Sequence, residues 1–191
     1  MRDHLLPARK TPSPERPLHE ERFGLLMRYM EARAAPPPQE LSPEHLADRI
    51  QRIEESLGAP LPASYREFLR STGGRGLLHK VTGSLFYSID RIEHRLADIA
   101  IPRILHTSEG EVRVLAIGEH SDNHLLLDVS ERSEEQVWQV PRDSAGKTPA
   151  SEQHLSKHGA AAVKFPALFL TLFAAVEKSW HDDKAWTYIG W

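Results

Sequence analysis

The sequence contains no cysteine. Disulfides, thiolate metal sites and thiol nucleophiles are therefore excluded, and the composition suits a reducing compartment. Long hydrophobic runs are also missing. The most apolar stretch, Phe165 to Val176, is too short to span a bilayer. MRDHLLPARKTPSPERP at the N-terminus has no apolar core of the kind a signal peptide needs, so a cytoplasmic protein is expected. Strong charge of either sign is lacking: the formal net charge is −3 over 191 residues. That is too mild to announce nucleic-acid binding and slightly favours cationic partners. Lysine is absent from Val81 to Gly146, although several arginines remain there. There is no G-x-S-x-G elbow and no internal repeat.

What is present is organised around Ile53 to Gly74, IEESLGAPLPASYREFLRSTGG. Leu46, Ile50, Ile53 and Leu57 recur at helical spacing and predict one apolar helix face. Ser42 before Pro43 is a helix start, because a hydroxyl caps free N–H groups and proline suits the first turn. Gly58 fits the left-handed residue that ends the helix. Pro60 and Pro62 forbid its continuation, and Pro62 can open a second helix with Tyr65, Phe68 and Leu69 as its buried stripe. Gly73 and Gly74 stop that helix. Two helices joined so closely fold back on each other and present one apolar surface for something else to cover.

The run E-x-x-L-G-x-x-L-P-x-x-Y-x-x-F-L, followed by G-G, resembles the signature of the SMI1/KNR4 (SUKH) superfamily. It is carried by Glu54, Leu57, Gly58, Leu61, Pro62, Tyr65, Phe68, Leu69, Gly73 and Gly74, and the resemblance extends over roughly Leu41 to Val176. All of these residues read as scaffold. A second segment, I-G-x-x-x-D-x-x-L-L-L-D, is similar to that family's central hairpin and is carried by Gly118, Asp122, Leu125, Leu127 and Asp128. Where the family usually has a glycine near the start of the second strand, His124 stands here.

Along the chain, residues 1–18 read as a mobile, proline-rich and charged tail. Residues 19–40 hold a helix from about Glu20 to Arg33, expected on the core, and a polyproline connector AAPPPQ. Residues 41–191 make the SUKH-like domain. Within it, Leu77 to Ile89 is β-like with a turn at Gly83–Ser84, and a short helix is expected from Ile92 to about Ile99. Glu111–Ile117, His124–Val129 and Glu135–Val140 are three strands on short loops, which implies an antiparallel meander. A polar loop from Pro141 to Gly159 leads to a helix beginning at Phe165–Pro166 and running to Lys178. The closing SWHDDKAWTYIGW holds three tryptophans that are expected to dock on the domain. The fold class is α+β: a twisted antiparallel sheet of four to six strands flanked by N-terminal and C-terminal helices. Those helices are expected to cover one face and leave the other, or its rim loops, for binding.

Chemistry-bearing patterns are few. Among eleven histidines, His120 with His124 and His154 with His158 have the i, i+4 spacing of a helical metal pair. The first pair straddles a predicted turn, and neither has the glutamate of H-E-x-x-H. Surface histidines are the reading, with no metal and no cofactor. Thr72 to Gly76 follows a helix and lacks the Lys-Ser/Thr of a phosphate loop, so it reads as a helix stop. His181-Asp182-Asp183 reads as a solvated turn. Nothing assembles a nucleophile, a base and an oxyanion donor, and no catalytic residue is assigned.

What remains is acid on the meander: Glu109, Glu111, Glu119, Asp122, Asp128, Glu131, Glu134 and Glu135. The resemblance implies an immunity protein that binds and neutralises a cognate toxin, with a toxin protein as partner and neither membrane nor nucleic acid bound directly. A monomer is expected. A toxin that is a nuclease would offer a basic groove to this acid. Glu119, Asp122, Glu134, Glu135 and Trp138 are the candidate toxin-binding residues. The alternatives are a regulatory interaction module of the SMI1/KNR4 type and, from the enzyme class, a metal-dependent hydrolase using the histidine pairs.

Overall fold

The computed structural model describes residues 18–33, 41–79, 83–98, 101, 103–107, 110–130, 135–142, 163–174 and 186–189. The tail through residue 17, the connector at 34–39, the loop from 143 to 159, the His154/His158 pair and the His181–Asp183 run lie outside the described residues, as do Glu109, Glu131 and Glu134.

Helix α1 spans Leu18–Arg33, α2 Pro43–Leu57 and α3 Ala63–Ser71. The Ser42 hydroxyl accepts the His45 amide at 3.2 Å, and Gly58 ends α2 with φ 64, as the sequence pattern requires. The family motif explains itself between the helices. Glu54 Oε1 accepts the Leu61 amide at 2.8 Å, while the Glu54 carbonyl takes the Ala59 amide at 3.2 Å. One motif glutamate thus satisfies two backbone donors across the turn that Pro60 and Pro62 impose. Pro62 sits at the cap position of α3 and supplies no side-chain acceptor.

Strands β1 (Gly76–His79) and β2 (Ser84–Phe86) precede α4 (Ile89–Leu96), which the Ser88 hydroxyl caps. This helix starts three residues before the expected Ile92, because the Ser88 hydroxyl accepts the Arg91 amide and Asp90 falls in the first turn, where an acid suits the helix dipole. Then come β3 (Ile104–Thr107), β4 (Gly110–His120), β5 (Asn123–Asp128), β6 (Gln136–Pro141), β7 (Val163–Lys164), α5 (Phe165–Ala174) and β8 (Trp186–Ile189).

The result is an α+β fold. Strands β1 to β6 are all antiparallel, and two short edge strands extend them to the order β7-β6-β5-β4-β2-β1-β8, with β3 pairing β4 off that path. β8 lies along β1, from Gly76 opposite Ile189 to His79 opposite Trp186. The backbone at Trp186 therefore docks on the sheet, whereas Trp180 and Trp191 lie outside the described residues.

β4 and β5 run further toward each other than their sequences suggest, leaving only Ser121 and Asp122 as the turn. Ser121 adopts the left-handed φ of 52 that such a tight hairpin demands. Gly118 lies where the register shifts, and a Cβ there would stand 2.3 Å from the Leu85 carbonyl oxygen. Only glycine lets β2 approach β4 this closely.

The core has an aromatic centre. Phe68, Phe86, Phe165 and Phe169 pack with ring centroids 5.3–5.9 Å apart across α3, β2 and α5. Phe23 of α1 joins them at 5.8 Å from Phe165 and 5.6 Å from Phe169. The N-terminal helix thus packs on the core, as expected. The second sheet face differs from expectation. Leu125, Leu126 and Leu127 are all fully buried, so β5 is covered on both faces and its flat side is not open to a partner.

Candidate partner-binding surface

With both faces of the central strands covered, a group of charged side chains gathers at the sheet rim where α4, the β4–β5 hairpin and the end of β6 meet. Pairing sets what shares a face. Glu119 opposes His124, which opposes Val140; Leu126 opposes Trp138. Directly opposed residues point the same way and alternate residues return to the same face. Glu119, His124 and Trp138 therefore occupy one side of the sheet, opposite to Phe86 and the aromatic core.

Glu119 is buried, with its side chain only 11% exposed, and four groups converge on it. The Tyr87 hydroxyl donates to Oε1, Arg91 reaches Oε1 at 3.2 Å, Arg95 approaches the same oxygen at 3.5 Å, and Arg142 pairs with Oε2. Arg95 also holds Asp98 at 2.9 Å. The Arg91 guanidinium lies 4.6 Å from the centre of the Tyr87 ring and that of Arg95 5.7 Å. Burial pushes the Tyr87 phenol up, and the three cations pull in the opposite direction without reversing it.

His124 is 7% exposed, and its Nδ1 has no hydrogen-bond partner among the described residues. Burial lowers its pKa from the ordinary value, and the Arg95 charge lowers it further. His120 opposes Asn123 instead of His124, and its Nδ1 meets the Ser84 hydroxyl at 2.8 Å. The two histidines thus point to opposite sides of the sheet. Among the described residues no group of three or more His, Asp or Glu could hold a metal ion.

The other expected contact residues take separate places. Asp122 is exposed in the hairpin turn, where its carbonyl accepts the Arg142 amide at 2.9 Å. Trp138 is half-buried, with its Nε1 buried and unpartnered among the described residues. Glu135 adopts a left-handed φ of 61 and turns toward α3, where its Oε1 accepts the Ser64 amide at 3.2 Å. Of the remaining meander acids, Glu111 pairs with His106 at 3.4 Å and Asp128 accepts the Ser130 amide at 2.8 Å.

Sequence reasoning passed over Tyr87, Arg91, Arg95 and Arg142. A partial signal was there: Arg91 and Arg95 stand one turn apart on a helix and share a face. Nothing in the sequence ties either to Glu119 or Arg142.

These elements define an α+β scaffold of the SUKH type, whose motif residues are spent on caps, turns and core. The SMI1 / KNR4 family (SUKH-1) matches residues 46–155, and the chain belongs to that family. Neither the curated proteins nor the solved structures returned a significant match. No helix among the described residues is long and apolar enough to cross a membrane.

Proposed function

We propose that this chain is an immunity protein that binds a cognate bacterial toxin and neutralises it by protein–protein contact, without a catalytic group of its own. Family membership over residues 46–155 is the observation that carries this reading. The structure supports it in one further respect. Glu54, Leu57, Leu61, Tyr65, Phe68 and Leu69 build the scaffold, so the rim is left to vary with the partner.

The proposed contact residues are Glu119, Asp122, Glu134 and Trp138, together with the arginines around Glu119, whereas Glu135 is engaged by the Ser64 amide at the other end of β6. Asp122 and the open edge of Trp138 touch the partner directly in this reading, while Glu119 acts by holding its arginines. An interface of about 1,600 Å² and a Kd near 1 nM, or about −12 kcal/mol, would suit a committed inhibitor. If the toxin is a nuclease, exposed Asp122 would favour approach to its basic groove.

The test is co-expression with the product of the adjacent gene. Rescue of growth together with co-purification is expected. Failure of both, with the toxin shown to be active alone, overturns the reading.

A further inference from the structure

The groups meeting at Glu119 carry more positive charge than negative. An ionised carboxylate offers about four lone-pair sites, whereas three guanidiniums bring roughly fifteen N–H donors. Glu119 takes one nitrogen from each arginine and the Tyr87 hydroxyl besides. Arg95 is turned inward, 24% exposed, and bridges Glu119 to Asp98. Arg91 and Arg142 are different: each has one end on Glu119, yet 42% and 45% of their side chains face solvent. Arg91 is also stacked on Tyr87, at 4.6 Å. These are two cations held in position before any partner arrives.

Holding an arginine still removes part of what binding costs, since a free side chain loses rotamer freedom when an interface orders it. Guanidinium is weakly hydrated, and its planar fork matches a carboxylate in two parallel hydrogen bonds. We infer that Arg91 and Arg142 form a preorganised clamp for an acidic side chain of a protein partner, with Glu119 as the positioning residue beneath them. The inference rests on the proposed function for the identity of the partner, and it gives this part of the rim the opposite charge preference to exposed Asp122.

A protein carboxylate fits better than a nucleic acid. Polyanion binding needs a stripe of cations tracking several phosphates. Here there are two half-open arginines on a chain of net charge −3. Exposed Asp122 is tied through its carbonyl to Arg142 and would repel a second phosphate.

The test has two arms. In the first, the full chain is labelled with 15N and the Nε–H signals of Arg91 and Arg142 are followed while acetylated tetra-glutamate peptide, or separately inorganic phosphate, is added. Both signals should shift saturably with the peptide, and the response should vanish in the Arg91→Gln/Arg142→Gln double variant. No shift in the wild-type chain overturns the clamp, and so does a response to phosphate alone. In the second arm, a toxin that the wild type neutralises is challenged with Arg91→Glu/Arg142→Glu. Its dissociation should speed up by at least about tenfold. Arg91→Lys/Arg142→Lys, which keeps charge and loses the fork, should fall between. Unchanged neutralisation by a folded charge-reversed chain overturns the clamp and leaves the toxin reading standing. If the wild type neutralises nothing, the toxin reading falls and the peptide titration still decides the clamp.

Discussion

The Glu135 carboxylate accepts a hydrogen bond from the Ser64 amide at 3.2 Å, across 71 residues of chain. Helix α3 begins behind a proline and has no local side-chain cap, so an acid from the start of β6 does that work. The arrangement also favours the positive end of the helix dipole. In exchange Glu135 sits at φ 61, a conformation that costs a non-glycine residue about 1 kcal/mol.

Glu135→Ala should therefore lower stability by about 1 kcal/mol, the usual worth of a helix cap, and Glu135→Gln by less because it keeps the acceptor oxygen. Urea denaturation of the three chains checks this. Equal stability for all three would mean that the carboxylate contributes nothing to α3.

Gly118 and Gly24 make a matched pair. An added methyl at Gly118 would meet the Leu85 carbonyl at 2.3 Å and the Phe86 Cα at 3.2 Å, both backbone, so β2 must move. Gly118→Ala should cost about 1–3 kcal/mol or prevent folding. Gly24 lies in α1 with nothing within 4 Å of the added Cβ. Gly24→Ala should raise stability by up to about 1 kcal/mol through helix propensity. Opposite shifts in the thermal midpoint are the expected result.

Removing the charge of Glu119 leaves Arg91, Arg95 and Arg142 facing one another. A buried ion pair broken from one side costs about 3–5 kcal/mol, but these arginines are 24–45% exposed and solvent screens much of the repulsion. Glu119→Gln should then cost about 1–3 kcal/mol, with part of the loss recovered in 1 M salt (Debye length about 3 Å). Salt-independent destabilisation would point to packing as the cause.

His124 makes stability depend on pH. Its folded pKa lies below the ordinary 6.5, first through burial and then through Arg95. As pH falls through about 6.5 the unfolded chain takes up a proton that the folded imidazole resists. The unfolded state binds more protons in this window, so stability falls with pH and levels off below the folded value. His124→Gln should flatten that part of the curve measured between roughly pH 7.5 and 5.5. An unchanged slope would assign the acid sensitivity to other groups.

Local rules carried the helical half of this molecule. Ser42, Gly58, Pro62 and the Gly73–Gly74 stop lie where a hydroxyl cap, a left-handed residue, a missing amide and two more left-handed residues must lie. Each acts on atoms within a few residues, so sequence spacing is enough to read them. The meander was legible for the same reason, from apolar runs joined by short loops, and α1 from the spacing of Phe23, Leu26 and Met27, which are buried. Strands β3, β7 and β8 were not legible. They are only two to four residues long and are held by distant partners.

The sequence by itself determined the α+β scaffold and its family, because caps, turns and periodic apolar faces are written in neighbouring residues. Only the tertiary structure decided what the acids do. Glu119 reads as surface charge until Tyr87, Arg91, Arg95 and Arg142 are brought onto it from β2's end, α4 and β6's end. Charge has no periodicity to betray its partner; a carboxylate's role depends on which donors reach it through space, and folding alone supplies that.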